Sequence, residues 1–320
     1  MHAVGVDIGG TKIAVGVVDE HGQIVETVKR PTEPQRPESI DAAIADAVNE
    51  LATRFEIEAV GLAAAGFMAA DRRVATFGPN IAWRNYPLAE RVGALLTVAV
   101  PVVVENDANA AGWAEFAHGA AQGKPNMTML TIGTGLGGAL VVDGRLVRGA
   151  YGFGAEIGHI AMVPGGDLCG CGHHGCWEQY ASGSALVRWA RQAAVEDPQR
   201  AVTLLELAGG DPEKIKGHDV TAAAFDGDEL AVALLARLGE WIGRGCANLA
   251  STLDPEIFVV GGGVIAAGDF VLGPARAAYE AALPVINLRP VAPIVAAHMG
   301  NDAGMVGAAA LAREAIASGR

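Results

Sequence analysis

Val4-Gly5-Val6-Asp7-Ile8-Gly9-Gly10-Thr11-Lys12-Ile13-Ala14-Val15-Gly16-Val17-Val18 sets the reading of the chain. β-Branched runs over residues 3–8, 13–18 and 24–28 are split by Gly9-Gly10 and by turn residues 19–22, the pattern of a hairpin meander. The same order returns later. Residues 129–132 read as a strand, glycines stand at 133, 135, 137 and 138, and residues 139–142 read as a second strand. Asp143-Gly144 then reads as a type I′ turn and residues 145–147 as a third strand. This repetition implies an internal duplication of one β-module, and two such modules predict two related lobes facing each other across a cleft.

Around these modules the apolar spacing predicts an amphipathic helix after Ser39 and a helix over 107–118. Further helices are expected over 184–195, 228–253 and 301–317. Residues 60–64, 102–105, 257–260 and 294–297 read as buried strands, and 202–227 as polar and irregular. The 320 residues are enough for two lobes. Hydrophobic residues make up 51% of the chain but aromatics only 5%, so cores of small side chains at close range are expected.

A net charge of −13 gains nothing from counterion release, so no nucleic-acid partner is expected. No apolar run approaches the ~18 residues of a membrane span, and the first residues lack the pattern of a signal peptide. The expectation is a cytoplasmic protein with no membrane partner.

In the first glycine turn, Gly9 and Gly10 allow backbone amides to approach phosphate oxygens, with Thr11 and Lys12 as added donors. Asp7, at a strand end, is a candidate magnesium ligand. The second turn, Gly133-Thr134-Gly135-Leu136-Gly137-Gly138, matches G-x-G-x-x-G. A dinucleotide fingerprint requires a helix next; a strand and a hairpin follow instead, so that reading fails. Neither the catalytic-loop motifs of protein kinases nor a Walker A sequence occurs. What survives is a pair of glycine hairpins able to hold a nucleotide's phosphates. Gly261, Gly262 and Gly263, at another strand end, can clear space for a nucleoside.

Glu105-Asn106-Asp107 lies where a strand meets a helix, so either Asn106 or Asp107 can be a plain N-cap. Phosphoryl transfer to an alcohol also needs a carboxylate to accept the hydroxyl proton, and Asp107 is placed for that. Asn106 offers a donor and an acceptor to a vicinal diol. Glu156 and Glu178 are candidate acceptors for sugar hydroxyls.

Cys169, Cys171 and Cys176 fall within eight residues, and His159 precedes them. One His and three Cys close a tetrahedral structural zinc site. His173 and His174 could replace His159, which is preferred because its second ring nitrogen could then serve a sugar hydroxyl. Cys246 shares a helical stripe with Leu238, Ile242, Leu249 and Leu253 and reads as a small buried hydrophobe.

These motifs resemble those of the ROK family of sugar kinases and sugar-responsive regulators, over nearly the whole chain. Asp7–Lys12 and Gly133–Gly138 look like its two phosphate motifs, and Glu156–His159 with the three cysteines like its zinc signature. The resemblance implies an α/β fold of the actin-like, hexokinase-type (ribonuclease H-like) two-lobe ATPase class. The small lobe would comprise 1–110 plus 300–320, and the large lobe 111–299 with the zinc loop. It implies Asp107 as general base and sugar contacts from Gly66, Asn80, Asn106, Asp107, Glu156, His159 and Glu178. It also implies Mg2+ with ATP, a structural Zn2+, and a homodimer or higher homo-oligomer.

The match is closest to the family's bacterial glucokinases, so ATP-dependent conversion of glucose to glucose 6-phosphate is expected. Another hexose (mannose, fructose or an N-acetylhexosamine), a polyphosphate donor, and a sugar sensor without turnover stay open. The family's repressors carry a helix-turn-helix domain ahead of the first phosphate motif; with that motif starting at Asp7, none is expected here.

Overall fold

The computed structural model describes residues 2–317. Residue 1 and residues 318–320, the ends of the segments assigned above to the small lobe, lie outside the described residues. In chain order the first elements are strands β1 (His2–Ile8), β2 (Lys12–Val18) and β3 (Ile24–Pro31), helix α1 (Pro37–Ala52) and strand β4 (Ile57–Ala64). The short strands β5 (Phe67–Met68), β6 (Ala75–Phe77) and β7 (Arg84–Tyr86), helix α2 (Leu88–Gly93), strand β8 (Val102–Asn106) and helix α3 (Asp107–His118) follow. Next come β9 (Met127–Ile132), β10 (Leu136–Val142), β11 (Arg145–Leu146), α4 (Gly183–Glu196), α5 (Val202–Leu207) and α6 (Gly217–Phe225). The chain ends with α7 (Glu229–Leu253), β12 (Ile257–Gly261), α8 (Asp269–Ala282), β13 (Ile294–Ala296) and α9 (Ala303–Ala317).

Two units emerge: Met1–Pro125 with Ala139–Ala155 and His298–Arg320, and Asn126–Gly138 with Glu156–Ala297. One five-stranded sheet has the order β3-β2-β1-β4-β8 and the other β11-β10-β9-β12-β13. Counted by position within each set, both read third, second, first, fourth, fifth. In the first sheet β1 pairs antiparallel with β2 and parallel with β4. In the second, β12 runs parallel to both β9 and β13, and β10 and β11 form an antiparallel hairpin. Its turn is Asp143-Gly144 with φ of 50° and 71°, both positive as a type I′ turn requires. Two such sheets with crossover helices make the actin-like two-lobe α/β fold.

Period-2 alternation explains the first unit. Val4, Val6 and Ile8 of β1 and Val60, Leu62 and Ala64 of β4 enter one core with Ile40, Ile44, Val48 and Leu51 of α1. The opposite face is lined with small residues, and Gly16, Gly5 and Gly61 stand in register across β2, β1 and β4. Helix α9 lies directly on this row. A Cβ at Gly5 would stand 1.9 Å from the Met305 carbonyl oxygen, and one at Gly61 1.9 Å from that of Ala308. Helix α3 approaches α9 equally closely, since a Cβ at Gly307 would meet the Ala110 carbonyl oxygen at 1.7 Å. In the second unit, β12 and the buried stripe of α7 form the centre of a separate core, with Cys246 fully buried.

Two stretches depart from the sequence expectation. Residues 202–227 are not irregular: α5 and α6 bury Leu204, Val220, Ala223 and Ala224. Helix α8 had no sequence signal because Gly268, Gly273 and Pro274 interrupt its pattern, yet it buries Val271, Leu272, Ala275 and Tyr279. Overpacking typically costs about 1–3 kcal/mol, so Gly61→Ala should lower Tm measurably in a thermal melt. Gly273→Ala, where a Cβ meets nothing within 4 Å, should raise Tm through helix propensity. Equal melts for the two variants would contradict the close seating of α9.

Candidate active site and metal centre

In the first unit the turn between β1 and β2 is closed by the Gly9 N–H donating to the Lys12 carbonyl at 3.0 Å. Gly10, Thr11 and Lys12 are exposed. Thr32, just beyond β3, fastens the turn: its hydroxyl donates to the Gly9 carbonyl at 2.8 Å and its N–H to that of Thr11 at 3.2 Å. Asp7 is half-buried on the face that carries α9. Burial raises its pKa, the charge of Asp107 raises it further, and Lys12 opposes both.

Asp107 begins α3 at the tip of β8 and is half-buried. Withdrawal from water raises its pKa, although the Ala108 N–H donates to its Oδ1 at 2.9 Å and favours the charged form. Asn106 is the N-cap, its Oδ1 accepting from the Asn109 N–H at 3.0 Å. Its amide nitrogen donates to the Gly66 carbonyl at 3.0 Å. Capping and the bond to Gly66 therefore use different atoms of one side chain. Gly66 has φ of 122°, and a Cβ there would stand 2.2 Å from the Phe77 carbonyl oxygen, so only glycine fits at this position and presents its own carbonyl to Asn106. Asn80 is exposed beside the first glycine turn, its Cβ 3.9 Å from where a Gly10 Cβ would be.

Beneath this pair lies Glu105, 3% exposed. Its Oε1 accepts from the Asn106 N–H at 3.2 Å and from the Asn109 amide at 3.1 Å. Its Oε2 accepts from Arg148 Nε at 2.6 Å, with Arg72 Nε at 3.7 Å. Arg72 and Arg148 carried no sequence signal. Each lies more than thirty positions from Glu105 in the chain, and no local spacing pairs them.

In the second unit Gly133, Thr134 and Gly135 form the other turn, while Gly137 and Gly138 lie inside β10. The turn's carbonyls face the start of α4: Gly183 N–H donates to Gly133 O at 2.8 Å and Ser184 N–H to Thr134 O at 3.3 Å. A cavity of about 1130 Å³ opens here, lined by Gly133, Thr134, Ser184, His218, Phe225 and Gly263 among others. Gly261 is the buried end of β12, and Gly262 turns the chain at φ 88°. His218 and Phe225 come from α6, in the segment expected to be irregular.

His159, Cys169, Cys171 and Cys176 bring one ligand atom each within 4.8 Å of the others. Zn–S and Zn–N bonds of about 2.3 and 2.0–2.1 Å place tetrahedral S···S and S···N edges near ~3.8 and ~3.6 Å. Here Cys171 Sγ and Cys176 Sγ are 3.5 Å apart, and Cys169 Sγ is 3.6 Å from His159 Nδ1. The donor set and its spacing fit a closed structural Zn2+. The ring's Nε2 is 4.0 Å from Glu156 Oε2, so Nδ1 faces the sulfurs and Nε2 the acid. His174 instead points Nδ1 at the Gly166 carbonyl, 2.9 Å away. Glu178 reaches the glycine turn, its Oε2 accepting from the Leu136 N–H at 3.0 Å.

An actin-like α/β protein with two glycine turns and a Cys3His cluster is the class these features define. The ROK family pattern matches residues 3–315, and the chain belongs to that family. It is 53% identical over 311 residues to a glucokinase of Streptomyces coelicolor, covering 97% of each chain. It is 49% identical to a ROK glucokinase of Streptomyces griseus whose crystal structure contains glucose and AMPPNP. That match has a TM-score of 0.86 and covers 98% of this chain and 100% of the other. An N-acetylmannosamine kinase of Escherichia coli O157:H7 is 33% identical over 317 residues, 98% of this chain and 99% of the other.

Elemental analysis of the purified protein should find one zinc per chain, and Cys176→Ser should lose it and melt earlier. Metal-free wild-type protein with an unchanged melt would refute the ligand set.

Proposed function

We propose that the protein transfers the γ-phosphoryl group of ATP to glucose, forming glucose 6-phosphate. The observation that carries this reading is the 49% identity, over 98% of the chain, to a protein that binds glucose and AMPPNP. Asp107 acts as general base and takes the proton of the primary hydroxyl as its oxygen attacks phosphorus. Its recessed carboxylate, with a pKa above the ordinary value, supports that role, because a stronger base accepts the proton more readily. Gly66, Asn80, Asn106, Glu156, His159 and Glu178 bind sugar hydroxyls. Asn106 and Glu156 supply the complementary donor and acceptor chemistry for a diol.

Backbone amides of Gly10 and Gly135, with Thr11, Lys12 and Thr134, neutralise charge on the phosphates, while Gly9 and Gly133, whose N–H groups donate to the Lys12 and Gly135 carbonyls, hold the two turns in shape. Gly137, Gly138, Gly261 and Gly262 shape the backbone that presents these groups, and Gly263 helps line the nucleoside cavity. Asp7 is the residue that would hold the Mg2+ accompanying ATP, which supplies charge neutralisation when bound. The zinc is structural and orients His159. The reading extends to a cytoplasmic enzyme working as a homodimer or higher homo-oligomer.

Asp107→Asn should lower kcat by ~10²–10⁴-fold. The acid limb of wild-type kcat/KM should lie above pH ~4, because the base must be ionised and burial raises its pKa. The same variant should melt higher at neutral pH. A carboxyl whose folded pKa is raised stabilises below its unfolded pKa, and that stability is lost as pH rises through the folded value. The gap in Tm should therefore close on acidification. Full turnover by Asp107→Asn would remove the base assignment.

A panel of glucose, mannose, fructose and N-acetylmannosamine, each with ATP or polyphosphate, should give the highest kcat/KM for glucose with ATP. A preference for N-acetylmannosamine would move the substrate to the hexosamine branch, and ligand binding without ADP release would indicate a sensor.

A further inference from the structure

The metal loop and the second glycine turn are parts of one construction, joined through Glu178. One carboxylate oxygen of Glu178 accepts the Leu136 N–H at 3.0 Å. The other stands 3.7 Å from the sulfur of Cys169. The fit at the turn is tight: a Cβ on Gly135 would lie 2.4 Å from Glu178 Oε2. The other side of Leu136 is held too, since a Cβ on Gly158 would stand 2.1 Å from the Leu136 carbonyl oxygen. Gly158 immediately precedes the ligand His159. Leu136 is thus gripped at its N–H by the residue beside Cys169 and at its carbonyl by the residue beside His159.

The backbone makes the same connection. Cys176 is followed by Trp177, fully buried and anchored through its indole N–H to the Trp241 carbonyl at 2.8 Å. Glu178 comes next, then Ser182, the N-cap of α4. Gly183 and Ser184 then donate to the carbonyls of Gly133 and Thr134. Seven residues after the last cysteine, the chain is already hydrogen-bonded to the second glycine turn.

We infer that Glu178 is a positioning residue that couples zinc occupancy to the Gly133–Gly135 turn, so that zinc and nucleotide binding reinforce each other even without sugar. This deepens the kinase reading above and rests on it for the identity of the nucleotide. A metal that fixes Cys169 limits where Glu178 can point. Glu178 in turn fixes the Leu136 N–H and so the amides of the turn. A turn held by bound phosphates restrains Glu178 and the cysteine loop by the same path, and linkage makes the two effects equal in size.

The experiment uses AMPPNP, zinc and no sugar. Isothermal titration calorimetry on zinc-loaded and zinc-stripped protein should show AMPPNP bound at least ~5-fold more weakly without zinc, the low end of typical coupling. Zinc release to a chromogenic chelator should slow when AMPPNP is present. In Glu178→Ala, with its fold verified by circular dichroism, zinc should still bind but the difference between the two AMPPNP affinities should shrink towards none. Equal AMPPNP affinity with and without zinc in the wild type would overturn the coupling while leaving the kinase reading intact. An undiminished difference in Glu178→Ala would overturn the role of this side chain. Failure of the zinc-loaded wild type to bind AMPPNP at all would remove both the coupling and the nucleotide assignment.

Discussion

Contact between α9 and the glycine row of the first sheet is the constraint on which the catalytic geometry depends. Gly5, Gly16 and Gly61 are neighbours across three strands, so their missing side chains form one shallow trough rather than three separate gaps. The helix settles into it until its carbonyls at Gly5 and Gly61, and the Met305 sulfur at Gly16, occupy the space that Cβ atoms would need. Two consequences reach the site. The start of α9 comes against Asp7, with a Cβ on Gly304 3.4 Å from the Asp7 carboxyl carbon. The helix also sits tightly on α3, whose first residue is Asp107. The positions of both acids therefore follow from how deeply one helix sinks onto a sheet.

The same unit has a second, polar tie. Arg72 donates to the Leu311 carbonyl at 3.1 Å, pairs with Glu314 at 3.5 Å and stands 3.7 Å from Glu105. Its φ of 60° is a left-handed conformation that is costly for a residue with a Cβ, roughly 1–2 kcal/mol. That conformation aims the guanidinium at α9 on one side and at the carboxylate beneath Asn106 on the other. A buried charge such as Glu105 is tolerable only with close partners. Its partners here arrive from three chain segments, so the floor of the site and the packing of α9 are cooperative.

Much of this was legible in the sequence where the signal is local. Both glycine turns, the start of α3 at Asp107 and the cysteine cluster are short motifs whose meaning depends on a few neighbours. The repeated order of strands and turns also announced two sheets of one topology. What stayed hidden is non-local. Thr32 secures the first turn from the far end of β3, and Arg72 and Arg148 reach Glu105 across the fold. The α6 wall of the cavity beside the second glycine turn left little trace because that helix is short and mixes polar residues with alanine, which weakens helical periodicity. Pro274 and two nearby glycines hid α8 in the same way.

The contrast between Glu105 and Asp107 completes the logic of the site. They are separated by one residue, yet Glu105 is surrounded by two guanidinium groups, a backbone amide and a side-chain amide. Asp107 takes the Ala108 N–H but has no such cationic company among the described residues, and burial raises its pKa. The arginines are spent on the carboxylate that supports Asn106 rather than on the one at the helix start. An arginine paired with Asp107 would stabilise its charged form and make it a poor proton acceptor. With no arginine committed to it, Asp107 keeps the raised pKa that burial gives it. The fold can tolerate this because the structure above Glu105 is already fixed by the Arg72 and Arg148 contacts and by the seat of α9.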